Sequence, residues 1–158
     1  MQSLSEIDAS VLPWLGKANK GVDYYIAECF HSNGIELTRV QFILLKKLVE
    51  NDGQPQHNLA FVTDRDKASL ARLISTMEKK DLVRREICEK DRRINHVFIT
   101  SYGKSVLKQA VPIIHKIIEA LQTEISISDL ETTIRVLKKL ENNIQPMELS
   151  HSLNQNEL

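Results

Sequence analysis

Cysteine is scarce: Cys29 and Cys88 are the only two in 158 residues. That is too few for a disulfide framework or a zinc set, and in a reducing compartment both are expected as thiols. Glycine (5) and proline (4) are also few, which excludes collagen-like, Pro-rich and low-complexity chains. No uninterrupted apolar run approaches the ~20 residues that a bilayer crossing needs. The first ten residues carry Glu6 and Asp8 where a secretory signal would be basic and then apolar, so a soluble, cytoplasmic protein is expected. Enzymatic signatures are missing too, with no HExxH, GxSxG, phosphate loop or dinucleotide fingerprint. The five histidines, His31, His57, His96, His115 and His151, fall on separate elements. His115 and Glu119 are one helical turn apart, but two ligands do not make a metal site. No catalytic residue, metal or cofactor is expected. What remains is 42% apolar and 27% charged, the balance of one globular domain with at most a subsidiary lobe.

Net charge is zero, from 21 basic and 21 acidic side chains, yet the charges are not evenly spread. Residues 1–64 hold 5 Lys/Arg against 8 Asp/Glu, residues 65–93 hold 10 against 6, and residues 94–158 hold 6 against 7. One short basic stretch is flanked by acidic ones. A local excess of this kind suits a phosphate-contacting surface, because counterion release depends on the contacted charges and not on the whole molecule's average. It would equally suit a solvated helix face.

Helical periodicity dominates the chain. From about Ala9 to His31, Leu15, Ala18, Val22, Tyr25, Ile26 and Cys29 keep three-and-four spacing, and Ser32-Asn33-Gly34 supplies a stop. A second helix is expected from the N-cap Thr38 through Gln41, Leu44, Leu45 and Leu48 to Asn51-Asp52-Gly53. A short third runs from Gln56 to Val62, and a fourth opens at Asp64 or Asp66. In this fourth segment, Lys67 to Lys80, the residues Leu70, Leu73, Ile74 and Met77 form a narrow apolar stripe. The opposite side then consists of Arg65, Ala68, Arg72, Ser75, Thr76 and Lys79, with Lys67 and Ser69 beside it. Small residues let a helix backbone approach a DNA groove, while Arg reaches base edges or phosphates.

Leu82 to Cys88 and Ile94 to Thr100 read as β-branched strands around Glu89-Lys90-Asp91-Arg92-Arg93, a hairpin with a charged tip. A small-faced helix followed by a strand, a basic loop and a returning strand is a winged helix-turn-helix plan, with the helix in the major groove and the loop beside it. Asp91 is expected to orient an Arg92 or Arg93 guanidinium by a bidentate bond. The residues Leu59-Ala60, Asp66-Lys67-Ala68-Ser69-Leu70-Ala71-Arg72-Leu73-Ile74, Met77-Glu78-Lys79-Lys80, Leu82-Val83-Arg84-Arg85 and the tip Asp91-Arg92-Arg93 resemble the MarR family of bacterial transcription regulators, over about Ile35 to Ile144. The resemblance implies a homodimeric winged-helix regulator on a pseudo-palindromic operator. It also implies that Arg72 is the recognition-helix arginine, that Arg92 and Arg93 are the wing cations, and that Asp91 is their orienting partner. Two residues depart from the family pattern. Ala71 stands where Thr is frequent, and Asp81 stands where Gly usually ends the helix, so a residue less suited to positive φ must make that turn.

Beyond the wing, Ser101 to about Ile125 carries Leu107, Ala110, Val111, Ile114, Ile117, Ile118 and Leu121 at helical spacing, with a bend expected at Pro112. A last helix is expected from Asp129 to Asn143, with Leu130, Ile134, Leu137, Leu140 and Ile144. This is more apolar stripe than a winged-helix lobe can cover, which suggests a layer built between two chains. The expected architecture is mainly α with some β (α+β): a winged helix-turn-helix lobe with a two-stranded β wing, plus a helical dimerisation layer. Residues 1–34 and 101–145 would form that layer, 35–100 the DNA-binding lobe and 146–158 a disordered tail. Trp14, Tyr24, Tyr25 and Phe30 could line a pocket for a small aromatic or amphipathic effector, or serve as dimer core. Cys29 is a candidate redox sensor, although its stripe position suits packing better. The expected function is sequence-specific binding of double-stranded DNA by a repressor. The alternatives are a winged-helix protein-interaction module and a cysteine-based redox-sensing regulator.

Overall fold

The computed structural model describes residues 4–62, 67–89 and 91–153. The chain divides into two compact units, residues 1–118 and 119–158. The first unit begins with α1 (Leu4–Asp8), which the sequence does not predict, and α2 (Leu12–Ser32), the helix expected from about Ala9 to His31. Ser10 makes the break. Its hydroxyl donates to the Ile7 carbonyl at 2.7 Å and accepts from the Leu12 N–H at 3.3 Å, closing one helix and opening the next. At the far end of α2 the Ile35 N–H reaches the Phe30 carbonyl and the Gly34 N–H reaches the His31 carbonyl, both at 2.9 Å, with Gly34 at φ 70°. These two bonds form a Schellman motif, as the Asn-Gly stop predicts.

Helix α3 (Arg39–Glu50) starts on a complete capping box, in which the Thr38 hydroxyl accepts from the Gln41 N–H and the Gln41 side chain accepts from the Thr38 N–H. Gln41 is therefore satisfied although buried. Arg39 ties α3 to α2 through an ion pair with Asp23 at 2.5 Å and a hydrogen bond to Asn19 at 2.7 Å. After β1 (Gln54–Pro55) come α4 (Gln56–Val62) and α5 (Lys67–Lys79). The expected N-caps Asp64 and Asp66 lie outside the described residues. Leu44, Leu45, Leu48, Leu59, Leu70, Ile74 and Met77 are fully buried, so the predicted stripes of these helices meet in one core. Truncating such a residue to Ala costs roughly 2–5 kcal/mol.

Strands β2 (Val83–Ile87) and β3 (Asn95–Ile99) pair antiparallel with Val83 opposite Ile99 and Ile87 opposite Asn95. The sheet has three strands in the order β1-β3-β2, so the expected two-stranded wing of β2 and β3 is joined by a third strand that the sequence reading lacked. The missing strand is two residues long and contains proline, so it carries no period-two pattern to read. The Asp52 carboxylate pins it, accepting from the N–H groups of Gly53 at 3.0 Å and Ile99 at 2.9 Å. Ile87, on the same face of β2 as the buried Val83, is 64% exposed, because the hairpin runs past the edge of the core there.

Helix α6 (Ser101–Leu121) runs unbroken through Pro112. Thr100 caps it, accepting from the Gly103 N–H at 2.9 Å, and a Cβ at Gly103 would lie 2.1 Å from the Leu82 carbonyl oxygen. Glycine is required there because α6 is seated directly on the start of β2. In the second unit α7 spans Ile127–Leu153. Ser126 caps it, accepting from the Asp129 N–H at 3.1 Å and donating to the Asp129 carboxylate at 2.6 Å. The helix begins two residues before the expected Asp129 and extends beyond Asn143 into the segment expected to be a disordered tail. Met147-Glu148-Leu149 are good helix formers, and a polar composition alone does not end a helix. Residues 154–158 lie outside the described set.

Candidate nucleic-acid interface

Helix α5 buries Leu70, Ile74 and Met77, and this fixes what it leaves outside. Lys67, Ala68, Arg72, Thr76 and Lys79 are exposed and Ser69 and Ser75 half-buried. Arg65, expected on the same face, lies outside the described residues. The Arg72 guanidinium donates to the Ser69 hydroxyl at 3.2 Å, and the Thr76 hydroxyl donates to the Arg72 carbonyl at 2.9 Å. The arginine therefore stands on the surface with one donor engaged and four others facing solvent or a ligand.

Ser75, expected as a contact residue, is also engaged within the chain. It accepts from Arg85 at 3.1 Å, and the same guanidinium is ion-paired with Glu78, whose other carboxylate oxygen accepts the Arg85 N–H at 3.0 Å. Arg85 thus staples β2 to α5, an interaction the sequence reading missed. Glu78 and Arg85 are seven residues apart across a turn, so neither helical nor strand periodicity pairs them. The turn itself is a second Schellman motif, with the Leu82 N–H on the Met77 carbonyl and the Asp81 N–H on the Glu78 carbonyl, both at 2.9 Å. Asp81 takes the left-handed position at φ 55°, as expected from the lack of glycine there.

At the hairpin tip Asp91, Arg92 and Arg93 are all exposed. The Asp91 carboxylate accepts the backbone N–H of Arg93 at 2.9 Å, and the Ile94 N–H donates to the Asp91 carbonyl at 3.0 Å. This corrects the expected bidentate bond: among the described residues Asp91 forms no ion pair with either guanidinium. An Asx turn lets a carboxylate reach the amide two residues on without ordering a long side chain, so the turn prevails over the ion pair.

The ion pairs divide the basic segment in two. Lys80 is paired with Glu36, Arg84 with Glu86 and Arg85 with Glu78, and Arg84 also lies 4.5 Å over the Phe98 ring. Among the described residues no ion pair engages Lys67, Arg72, Lys79, Arg92 or Arg93. Among the described residues of this segment, the uncompensated cations are therefore those on the outer face of α5 and at the tip of the hairpin. A helix leading into an antiparallel hairpin, with the free cations on both, is the arrangement of a winged helix-turn-helix.

A profile described as MarR family matches residues 37–94, from the capping box through the hairpin tip. The transcriptional regulator HosA of Escherichia coli O127:H6 is 30% identical over 107 residues, which cover 68% of this chain and 79% of HosA. The chain belongs to the MarR family. Solved structures show the same fold. A MarR variant from Escherichia coli complexed with operator DNA aligns at a TM-score of 0.79 and 19% identity over 88% of this chain and 99% of that one. The transcriptional repressor CouR, bound to a 23-mer DNA duplex, aligns at 0.78 and 19% identity over 89% and 99%.

The aromatic residues of α2 divide between core and surface. Phe30 is completely buried and packs against Phe42, with ring centroids 6.1 Å apart. It is a core residue, since its position completes the buried face with Ile26. Trp14 and Tyr24 are 64% and 72% exposed, and Tyr25 is also exposed. Cys29 is half-buried and packs against the core cluster. The described residues contain no group of three or more His, Cys, Asp or Glu placed to hold a metal ion, and none of their helices is long and apolar enough to cross a membrane.

Proposed function

We propose that this MarR-family chain is a sequence-specific regulator of transcription that binds double-stranded DNA as a homodimer on a pseudo-palindromic operator and represses. One observation carries the reading: within the basic segment 67–93, the described cations without acidic partners all lie on the solvent face of α5 and at the hairpin tip. Helix α5 would enter the major groove with Ala68 and Ser69 against the base edges, Arg72 reading a base and Lys67, Ser75, Thr76 and Lys79 along the backbone. Arg92 and Arg93 would reach the neighbouring phosphates or minor groove. Arg65 belongs to the same proposal by sequence. Two such helices on one side of a duplex must stand ~34–36 Å apart, about one helical turn.

Dimerisation is supported by uncovered apolar side chains at Leu12, Trp14 and Leu15 in the first unit and at Ile127, Ile134, Leu137 and Ile144 in the second. A small-molecule effector is supported by a cleft of about 440 Å³ in the first unit, lined by Leu48, Val49, Leu107 and Val111, with Lys104 and Lys108 at its side and Asp52, whose carboxylate is engaged by the Gly53 and Ile99 N–H groups, at its edge. An apolar floor beside two cations suits an amphipathic anion. Measuring affinity for a duplex selected from a random pool and for its scrambled counterpart, at several salt concentrations, tests the function. A preference of at least ~10³ for the selected duplex is expected. Equal, salt-erased affinity for both would favour the protein-interaction alternative.

A further inference from the structure

Ser75 and Thr76 are neighbouring hydroxyls on α5 with opposite hydrogen-bond commitments. The Thr76 hydroxyl donates its hydrogen to the Arg72 carbonyl at 2.9 Å, one turn back. The Ser75 oxygen instead accepts from the Arg85 guanidinium at 3.1 Å, and among the described residues its own O–H hydrogen is donated to no acceptor. Arg85 is held in place at two points. Its backbone N–H donates to one Glu78 carboxylate oxygen at 3.0 Å, and its guanidinium is paired with the other. The same guanidinium nitrogen serves both Ser75 and Glu78, so both of its hydrogens are spent. Ser75, Glu78 and Arg85 are all half-buried, and the Glu78 carboxylate offsets the Arg85 charge. Three residues along the helix turn Ser75 about 60° from Arg72, to the flank of the outer face that borders β2.

We propose that Glu78 and Arg85 are positioning residues that hold Ser75 as an oriented hydrogen-bond donor to one DNA phosphate oxygen in each half-site. A hydroxyl whose oxygen accepts from a cation has its hydrogen turned away from that cation, and the polarisation makes it a stronger donor. The partner it fits is an anionic oxygen that only accepts. At the flank of a helix seated in the major groove, such an oxygen belongs to the sugar–phosphate wall, while the base edges face the centre of the helix surface, where Arg72 stands. Thr76 is not prepared in this way, because its hydrogen is spent within the helix. Arg85 brings no uncompensated charge to the duplex, so the contact adds affinity without releasing a counterion. The inference rests on the proposed entry of α5 into the groove.

The test uses the full chain and a duplex selected from a random pool. Ser75→Ala should weaken binding about tenfold, to a similar extent on the selected duplex and on its scrambled counterpart, with the slope of log affinity against log salt unchanged. In an ethylation-interference footprint of the selected duplex, one phosphate per half-site should cease to matter for Ser75→Ala. It should matter again for Ser75→Thr, which keeps the hydroxyl. A loss confined to the selected duplex would mean a base contact and overturn the phosphate assignment, and an unaltered footprint overturns the role of Ser75. The positioning role is read by repeating Ser75→Ala in a chain carrying Glu78→Ala and Arg85→Ala, which leaves neither charge unpaired. There the substitution should cost less than about twofold, and a full tenfold loss overturns the positioning role. Should that chain unfold, Arg85→Lys takes its place under the same two outcomes, since it keeps a charge for Glu78 without the planar fork. An unsubstituted chain that binds no duplex overturns the DNA reading. One that binds tightly, with the same footprint in Ser75→Ala, overturns this inference alone.

Discussion

Helices α5 and α7 carry similar apolar periodicity and meet opposite fates. In α5 the stripe Leu70, Ile74 and Met77 is buried by the rest of the first unit, and the polar face with Arg72 is what remains outside. In α7 the residues Ile127, Ile134, Leu137 and Ile144 are exposed, Ile127 by 76%. A hydrophobic stripe states that something must cover it but not what does. The chain's own core does so for α5, and a second copy is proposed to do so for α7. The polar face of α5 becomes available for a ligand because the opposite face is committed to the core.

The most disruptive way to break this contrast is to remove the cover within the chain. Ile74→Ala should lower unfolding free energy by roughly 2–5 kcal/mol in denaturant titration, since the residue is completely buried. Charging the exposed stripe should act elsewhere. Ile134→Asp with Leu137→Asp is expected to convert a dimer to a monomer in sedimentation experiments while leaving the helical circular dichroism of the lobe in place. A protein that is already monomeric before substitution would remove the proposed role of α7. On the polar face of α5, Arg72→Ala should weaken binding to a selected duplex by about 1–3 kcal/mol, concentrated at particular base pairs. A smaller change of opposite sign is expected at the end of that helix. Asp81 occupies the left-handed C′ position at φ 55°, so Asp81→Gly should raise stability by about 1 kcal/mol in the same denaturant assay. The smallest effect is expected for Arg92→Ala, with a near-uniform loss across sequences and a salt slope shallower by about one.

The sequence shows local chemistry more readily than chemistry that crosses a turn. The capping box at Thr38, the Asn33-Gly34 stop, helix α4 and the buried stripe of α5 were legible because each depends on residues within one or two turns. The Asp81 conformation was legible because a missing glycine leaves a specific backbone problem. Strand β1 was not, since Gln54 and Pro55 pair with Val97 and His96 some forty positions away. The bond from Arg85 to Ser75 and Glu78 was hidden for the same reason, and it gives Ser75 a partner within the chain as well as a place on the proposed contact face. Phe30 illustrates the limit of composition: an aromatic residue on a helix marks a large apolar surface, and only packing decides whether that surface lines a cleft or fills a core. At the tip, Asp91 and the two arginines were placed correctly, but the carboxylate bonds a backbone amide, the cheaper partner in conformational entropy.

The direct test is an equilibrium titration of the unsubstituted chain and Arg72→Ala against a selected duplex and its scrambled form at matched salt. The proposed role of α5 predicts a loss of about 1–3 kcal/mol on the selected duplex and a much smaller loss on the scrambled one. Equal losses on the two duplexes would contradict base reading by Arg72 and reduce the exposed face of α5 to a phosphate contact.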